Sequence, residues 1–356
     1  FDMRWDIFCQ VIDNYGDAGV CWRLCRALAQ GNDSRIRLFC DDLTVLDAIA
    51  HGNAVQAGQA LGIDIQPWSQ SEYVTECADV VIEAFACNLP NAYIQAMVDR
   101  QHKGQSTTWI NLEYLTAESF ADTMHLMPSP QNNGLTKYFF FPGFTEKTGG
   151  VLLGDWDQVT TGSVPESLAR NMELFRLGAL KVLVFQYPTT VILPWLEQLN
   201  SALASAERHA DVLITPNQNI PKNTALSHLQ FIRLPFVPQE DFDWLLAHCD
   251  LNLVRGEDSF VRAQWAAKPF IWDIYPQSDQ VHEIKHAAFL SRYLTDVPAQ
   301  INQAANALMT RKPASEWLND LALLTRHAAN WAQKLRNLGG LEGKIVNFVK
   351  SQEKSR

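Results

Sequence analysis

Short apolar runs alternate with amphipathic stretches along most of this 356-residue chain. The pattern is clearest at 251–286, where the apolar run 251–254 precedes a polar turn at 255–259 and then apolar residues at helical spacing in 260–267. A second apolar run follows at 270–274. Strand, turn, helix and strand in this order form the unit of a parallel sheet, so the pattern predicts such a sheet here.

The same alternation occurs on both sides of a glycine-rich stretch. Residues 142–163 contain five glycines and little periodicity, which is typical of a linker between domains. Before the linker, the predicted strands are 5–12, 36–40, 79–84, 107–112 and 137–141. The predicted helices there are 20–30, one from 43, and 91–100, with a loop at 13–19. After the linker, the predicted strands are 180–186, 211–215 and 231–234, and the predicted helices are 165–178, 190–206, 239–248, 277–294, 298–311, 315–338 and 341–350.

This order predicts two doubly wound α/β domains in tandem, followed by a helical tail. We expect an N-terminal Rossmann-like domain at 1–150, which would lie on the acceptor side, and a linker at 151–164. A second Rossmann-like domain, which would bind a nucleotide sugar, is expected at 165–338. The C-terminal helix at 339–356 could pack back on the first domain.

Two enzyme architectures have this arrangement, the two-Rossmann (GT-B) glycosyltransferases and the two-domain dehydrogenases. A dehydrogenase needs G-x-G-x-x-G after a strand. The first strand here is followed instead by DNYGDAG at 13–19. Because its two aspartates would repel a pyrophosphate, the sequence favours the GT-B fold.

Composition and charge exclude several classes of protein. The chain is 47% hydrophobic and 19% charged, as in an ordinary globular protein. No Lys/Arg cluster offsets the net charge of −10, so we expect no nucleic-acid partner. No apolar run approaches the ~20 residues that span a bilayer, and the N-terminal residues do not resemble a signal peptide. We therefore expect a cytoplasmic protein with no membrane partner, in which the seven cysteines are reduced thiols.

The polar turn at 255–259 is the first candidate for chemistry, because ligands of parallel sheets bind beyond the carboxyl ends of the strands. Gly256 would let the backbone approach a ligand closely. Asp258 or Ser259 could cap the following helix, whose free N–H groups form an anion site, and Arg255 adds a positive charge. These features suit a diphosphate. An ordinary strand–helix turn with a capping side chain explains them equally well.

Asp13 and Asp17 are the second candidate, since they flank Tyr15-Gly16 after the first predicted strand. Two acids at such a turn can face one cleft, where one serves as a general base while the other holds a substrate cation. The alternative is structural, with Asp17 as a helix N-cap and Asp13 in an Asx-turn.

A metalloprotease pattern also occurs in the chain, since residues 282–286 read HEIKH and match H-E-x-x-H. The glycine of the longer metzincin motif is missing, and the alternating α/β context is wrong for such an enzyme. We interpret the match as coincidental and expect no metal site.

Aromatic residues near two further strand ends could stack on a pyrimidine. Tyr187 follows the predicted strand 180–186, and Phe236 lies between the predicted strand 231–234 and helix 239–248. Packing in the hydrophobic core is the alternative explanation for either side chain.

Taken together, these motifs resemble the elongation factor P (EF-P) arginine rhamnosyltransferases, the EarP family. The resemblance rests on DNYGDAGVCWRL at 13–24 and on RGEDSFVRAQWA at 255–266 with KPFIW at 268–272. FQYP at 185–188 and LPFVPQ at 234–239 also fit. The resemblance covers essentially the whole chain.

The resemblance implies a GT-B fold with two domains facing a central cleft, and a reaction without metal or other cofactor. The implied reaction moves L-rhamnose from dTDP-β-L-rhamnose to one arginine of EF-P, with inversion at the anomeric carbon. Two alternatives remain open at this point. One is a GT-B glycosyltransferase with another donor or acceptor, and the other is a non-catalytic EF-P-binding protein.

The resemblance also implies roles for individual residues. Asp17 would be the base, Asp13 its supporting acid and Glu257 a second catalytic acid. Four residues would hold the diphosphate and sugar: Tyr187, Arg255, Asp258 and Ser259. Phe236 would stack on thymine and Gln239 would contact the edge of the base. Asn14, Tyr15 and Gly16 would approach the donor through their backbone.

Overall fold

The computed structural model describes residues 3–31, 34–220 and 225–355. The chain divides into two compact units. Within the described residues, the first unit falls in Phe1–Asp155 and Leu335–Arg356, and the second in Trp156–Lys334. Each unit is built on its own mainly parallel sheet.

In the described residues, the first unit contains a seven-stranded sheet in the order β3-β2-β1-β4-β5-β7-β6. All neighbouring strands are parallel except β6 and β7. The strands are β1 (Met3–Cys9), β2 (Ser34–Cys40), β3 (Ile63–Pro67), β4 (Val80–Ala84), β5 (Thr108–Leu112), β6 (Pro128–Pro130) and β7 (Thr136–Phe140). The order reverses between β1 and β4, and ligands of doubly wound sheets bind at such a reversal.

The described part of the second unit contains a five-stranded sheet, parallel throughout, in the order β10-β9-β8-β11-β12. Its strands are β8 (Leu180–Val184), β9 (Ala210–Ile214), β10 (Leu229–Arg233), β11 (Leu251–Arg255) and β12 (Phe270–Asp273). Here the order reverses between β8 and β11, so the residues that follow these two strands meet at the equivalent position.

Helices connect the strands in both units. In chain order they are α1 (Tyr15–Gly31), α2 (Leu43–Ile49), α3 (Ala54–Ala60), α4 (Asn91–His102), α5 (Phe120–Met124), α6 (Trp156–Thr160), α7 (Ala169–Met172), α8 (Leu193–Ser205), α9 (Gln239–His248), α10 (Asp258–Trp265), α11 (Val281–Tyr293), α12 (Ala299–Met309), α13 (Leu321–Leu338) and α14 (Leu341–Lys354). Among the helices of the described residues, none combines the length and apolar character needed to cross a membrane.

The strands of the first unit are buried on both faces because successive side chains point to opposite sides of a sheet. Ile7 and Leu38 pack in one hydrophobic cluster, and the next residues along, Phe8 and Phe39, pack in another. Continuous apolar runs such as β1 are therefore the signature of this arrangement. The seven cysteines are free and buried, as the sequence predicted.

The last helix belongs to the first unit. Leu341, Ile345 and Val349 recur every four residues on one face of α14 and are buried in the same cluster as Ile7. The backbone N–H groups of Leu153 and Gly154 donate to the carboxylate of Glu342 on this helix, at 3.3 and 2.8 Å. These contacts attach the chain around 153–154 to α14.

Two sequence predictions about local structure are wrong. The loop predicted at 13–19 ends early, since α1 begins at Tyr15. The reason is a pair of hydrogen bonds in which the Asp17 carboxylate accepts the N–H groups of Ile12 and Asp13, which closes the turn directly onto the helix.

The helix predicted at 165–178 is mostly absent, because only the four residues of α7 follow one short 3₁₀ turn, Glu166–Leu168, in this stretch of the described chain. The backbone N–H of Arg176 donates to Asp211 of β9 at 2.8 Å, and its Nε donates to the same carboxylate at 2.7 Å. The segment therefore finds its hydrogen-bond partners at the sheet rather than in a helix.

Candidate active site

The turn after β1 holds the first group of predicted residues, all in the first unit. Asp17 lies in the first turn of α1 and is only 2% exposed. Its Oδ2 accepts the backbone N–H of Ile12 at 2.8 Å and that of Asp13 at 2.9 Å. Its Oδ1 accepts the hydroxyl of Tyr114 at 2.9 Å. Asp17 is therefore not an N-cap, and its carboxylate is fixed by three hydrogen bonds.

Asp13 lies within the same turn, and its carboxylate packs against Gly16. A Cβ added at Gly16 would lie 2.9 Å from Oδ2 of Asp13, so a larger residue at this position would displace the carboxylate. The carbonyl of Asp13 accepts the N–H of Gly16 at 2.7 Å, and Asn14 between them has a left-handed backbone with φ of 38°. Asp13 and Tyr15 are partly exposed and Asn14 is exposed, so this turn is accessible beside the buried Asp17.

Tyr114 follows β5 and contacts this turn, and it was not predicted from the sequence. Its ring stacks on Phe85 with centroids 4.1 Å apart and planes 7° from parallel. The two aromatic residues follow neighbouring parallel strands, β4 and β5. Their positions directly after apolar runs were the signal in the sequence, but only the strand order shows that they reach Asp17.

In the second unit, Arg255 lies at the end of β11, next to the end of β8. Its guanidinium carbon is 4.4 Å from the ring centroid of Phe185 and 5.1 Å from that of Tyr187. Its Nη1 donates to the carbonyl of Gln186 at 3.3 Å. The arginine is thus held on two aromatic faces at the reversal of the strand order, a geometry that favours cation–π attraction.

The turn from β11 to α10 holds the remaining polar residues of the second unit. Glu257 occupies the N-cap position of α10 and Asp258 is its first residue, so the predicted capping position was one or two residues too late. The hydroxyl of Ser259 donates to the backbone carbonyl of Arg255. The same hydroxyl accepts the backbone N–H of Arg255 at 3.2 Å. The Nε2 of Gln239 donates to the Asp258 carboxylate at 3.0 Å. These bonds bring Gln239, Arg255, Asp258 and Ser259 together around one turn.

Phe236 lies between β10 and α9, and 47% of its surface is exposed. It is therefore not a core residue, which was the alternative explanation from the sequence. Gln239 is the first residue of α9 and is buried.

Two further polar residues adjoin this group and were missed from the sequence. The Asp273 carboxylate at the end of β12 accepts the backbone N–H of Tyr187 at 3.0 Å and the hydroxyl of Thr190 at 2.6 Å. The Nη1 of Arg311 donates to Oε1 of Gln186 at 3.3 Å. Burial lowers the pKa of the Arg311 guanidinium, and the negative charge of Asp273 opposes that effect. Because it accepts the N–H of Tyr187, Asp273 orients the backbone of that residue.

The H-E-x-x-H match at 282–286 shows no sign of a metal centre. The Nδ1 of His282 accepts the N–H of Gln277 at 3.3 Å, and burial together with the charge of Arg311 lowers the pKa of His286. Within 3–31, 34–220 and 225–355, no three or more His, Cys, Asp or Glu side chains are grouped so that they could hold a metal ion.

Comparison with known sequences gives matches over nearly the whole chain. A model of the family described as "Elongation-Factor P (EF-P) rhamnosyltransferase EarP" matches residues 5–350. A protein-arginine rhamnosyltransferase of Pseudomonas putida is 42% identical over 315 residues, covering 81% of this chain and 81% of its own. One from Pseudomonas aeruginosa is 37% identical over 381 residues, covering 97% of this chain and 98% of its own.

Comparison with solved structures supports the fold. A structure described as "Structural basis for EarP-mediated arginine glycosylation of translation elongation factor EF-P" is 28% identical, covers 98% of this chain and 99% of its own, and superposes with a TM-score of 0.62. The spinosyn rhamnosyltransferase SpnG, at 13% identity, covers 98% and 100% with a TM-score of 0.54, which supports the fold alone. The predicted GT-B-type α/β fold with a helical C-terminal tail is confirmed.

Proposed function

The chain belongs to the EarP family of EF-P rhamnosyltransferases and is an enzyme, and from that premise we propose that it moves L-rhamnose from dTDP-β-L-rhamnose to an arginine side chain of EF-P. The observation that carries the proposal is the family match over residues 5–350. Because the proposed acceptor is a translation factor, the proposed location of the reaction is the cytoplasm.

The second unit supplies groups that suit the donor. Arg255 offers a guanidinium fork at the reversal of the strand order, and such forks match phosphate oxygens. The N-terminus of α10 begins directly after Glu257 and adds backbone N–H groups that favour an anion. With Tyr187, Asp258 and Ser259, these groups are proposed to hold the diphosphate and the sugar.

The base of the nucleotide is proposed to bind on the exposed ring of Phe236. An aromatic side chain that is 47% exposed beside a strand end provides a face on which a thymine ring can stack. Gln239 lies at the start of the following helix, and its amide suits the polar edge of thymine. Its bond to Asp258 couples the base-binding and diphosphate-binding residues.

The first unit supplies carboxylates that suit a cationic acceptor. A guanidinium is a poor nucleophile because its charge is delocalised. Asp13 and Asp17 can grip it by charge-assisted hydrogen bonds and orient one nitrogen toward the anomeric carbon. The backbone of Asn14, Tyr15 and Gly16, which forms the accessible turn between these acids, is proposed to approach the donor.

The proposed reaction is a single displacement with inversion. The bond between the anomeric carbon and the diphosphate oxygen breaks while a bond from an arginine nitrogen to that carbon forms. The proton of the nitrogen passes to a carboxylate, for which Asp17 is proposed, with Asp13 in support. Glu257 is proposed as a further acid whose negative charge stabilises the oxocarbenium-like transition state. Arg255 and the α10 N–H groups balance the charge that develops on the leaving dTDP without a metal ion.

The proposal is tested by the intact mass of purified EF-P after incubation with this enzyme and dTDP-β-L-rhamnose. We expect a gain of one rhamnosyl group, located on an arginine by fragmentation. Asp17→Asn and Glu257→Gln are each expected to lower the rate at least 100-fold, while calorimetric affinity for dTDP-β-L-rhamnose changes less than about threefold.

Two results would count against the proposal. An unmodified EF-P in the presence of tight binding to a different nucleotide sugar would point to another donor. Normal turnover in Asp17→Asn would remove the proposed role of that carboxylate. Asp157→Asn is a matched control for the charge change, because Asp157 lies on α6 and is assigned no part in the reaction.

A further inference from the structure

The hydroxyl of Tyr114 makes the side-chain contact that completes the hydrogen-bonding of Asp17. It donates to Oδ1 at 2.9 Å, while Oδ2 is already held by the two backbone N–H groups of Ile12 and Asp13. The terminal torsion of an aspartate is broad and poorly restricted by itself. The Tyr114 hydroxyl is therefore positioned to fix the rotation of the carboxylate.

The ring of Tyr114 is held in turn by Phe85. The two rings are stacked at 4.1 Å, and Phe85 belongs to a loop whose backbone is left-handed at three of four residues. The φ angles of Phe85, Ala86 and Asn88 are 56°, 55° and 56°. Non-glycine residues adopt this conformation at a cost, so a run of them is maintained only where the surroundings impose it.

Buried polar groups impose this loop conformation. The N–H of Ala86 donates to Oδ1 of Asn111 at 3.0 Å, and the N–H of Asn88 donates to Oε1 of Glu83 at 3.2 Å. Asn111 and Glu83 are each 1% exposed. The other oxygen of Glu83 accepts Nε1 of Trp109 at 3.1 Å.

The same oxygen of Glu83 also forms an ion pair with Nζ of Lys137 at 3.4 Å. A buried carboxylate with these partners cannot turn without leaving charges unpaired. The strained loop thus has a rigid support, and its conformation places Phe85 against Tyr114.

We propose that Tyr114 is a positioning residue for the transfer reaction, whose hydroxyl holds the Asp17 carboxylate and whose ring is fixed by Phe85. This inference rests on the proposed function, because it assigns to Tyr114 an effect on a carboxylate that is itself proposed to act on the acceptor. The left-handed conformation at 85–88 is then part of this support, because it is the conformation in which the Phe85 ring stacks on Tyr114.

The first test is Tyr114→Phe, which removes the hydroxyl and keeps the ring that stacks on Phe85. We expect kcat for EF-P modification to fall roughly 10- to 100-fold, the range for loss of a hydrogen bond to a charged group. Affinity for dTDP-β-L-rhamnose should stay within about twofold, because the side chains proposed to bind the donor lie in the second unit. A purely structural role would instead lower the melting temperature and leave kcat per folded enzyme unchanged.

Tyr138→Phe is the matched control for removing a hydroxyl. Tyr138 lies on β7 of the same sheet, is partly exposed, and packs its ring on Phe348 with centroids 5.2 Å apart. It is assigned no part in the reaction. Its loss of a hydroxyl is expected to leave kcat unchanged.

A double-mutant cycle tests the role of Phe85. Phe85→Ala should lower kcat in the wild-type background, because the Tyr114 ring loses its support. In the Tyr114→Phe background the same change should have little further effect, since the hydroxyl through which Phe85 acts is already gone. Equal effects of Phe85→Ala in both backgrounds would overturn the proposed link.

Failure of this inference can be distinguished from failure of the proposed function. If wild-type enzyme modifies EF-P and Tyr114→Phe does so at the same rate, the inference is wrong and the function stands. If wild-type enzyme does not modify EF-P, a crystal structure of Tyr114→Phe still decides the positioning role. We expect the Asp17 carboxylate to rotate in it, and an unchanged carboxylate would contradict the proposal.

Discussion

At the scale of single residues, the placement of Arg255 explains why an arginine is needed at this position. Its planar guanidinium lies over the rings of Phe185 and Tyr187, and its Nη1 donates to a backbone carbonyl. A lysine ammonium is a compact charge that can neither stack on two rings nor present a fork to a diphosphate. The two positively charged side chains are therefore not interchangeable here.

Arg255→Lys is accordingly expected to weaken binding of dTDP-β-L-rhamnose about 10- to 100-fold, measured by calorimetry. Arg208→Lys provides a matched control in the same unit. Arg208 follows α8 on the approach to β9, near the amino ends of the strands, whereas donor binding is proposed at their carboxyl ends. Unchanged donor affinity in Arg255→Lys would remove Arg255 from the proposed binding site.

Residues adjacent in sequence were easier to identify as candidates than residues brought together by the fold. Arg255, Glu257 and Asp258 form one contiguous motif after an apolar run, so strand-end chemistry could be inferred directly. Tyr114 and Phe85 are separated from Asp17 by most of the first unit. Their contact depends on β1, β4 and β5 lying side by side, which the sequence pattern does not specify.

At the scale of elements, segments with a clear apolar pattern were predicted well. Segments that are short, or whose backbone N–H groups bond to carboxylate side chains, were not. The helix predicted at 239–248 has the same bounds in α9. The strand predicted at 36–40 ends at the same residue in β2 but begins slightly earlier, at Ser34. Strands β3 and β6 were missed. In β3, Asp64 and Gln66 alternate with Ile63 and Ile65, which leaves a weak apolar signal, and β6 is three residues long and begins and ends with proline.

One inter-element contact predicts how stability depends on pH. His125 follows α5, and its Nδ1 accepts the N–H of Phe141 at 3.1 Å. Burial, aided by the positive charge of Lys344 on α14, lowers the pKa of His125 from 6.5 to about 4. Between these values the unfolded chain binds the proton and the folded chain does not. The contribution of His125 to the free energy of unfolding is therefore complete above pH 6.5 and is lost as the pH falls to about 4.

His125→Asn is the test of this contact, because an amide oxygen can accept the Phe141 N–H but does not titrate. The free energy of unfolding of the wild type should fall by about 1–3 kcal/mol more than that of the variant between pH 6.5 and 4.5. Burial also lowers the pKa values of His286 and His327, so both proteins keep some slope. His102→Asn should follow the wild type, and a His125→Asn profile parallel to the wild type would refute the assignment.

At the scale of the whole molecule, the alternation of strands and helices was sufficient to predict two parallel-sheet units. It allowed the C-terminal helix at 339–356 to pack back on the first domain but did not require it. α14 packs in the core of the first unit through Leu341, Ile345 and Val349, although it is separated from that unit's strands by the whole second unit. An amphipathic helix shows which face is buried and does not show against which partner. The structure identifies the partner of this face as the core of the first unit.

The whole-molecule distribution of charge leads to a final prediction, about metal dependence. The chain carries a net charge of −10, yet its second unit presents Arg255 and the N-terminus of α10 where the leaving diphosphate is proposed to lie. If these groups supply the positive field, rhamnosyl transfer to EF-P should proceed in EDTA within about twofold of its rate without chelator. Added Mg²⁺ should not restore the donor affinity lost in Arg255→Lys. A rate that falls more than about tenfold in EDTA and returns with Mg²⁺ would show that a cation, and not the guanidinium, balances the leaving group.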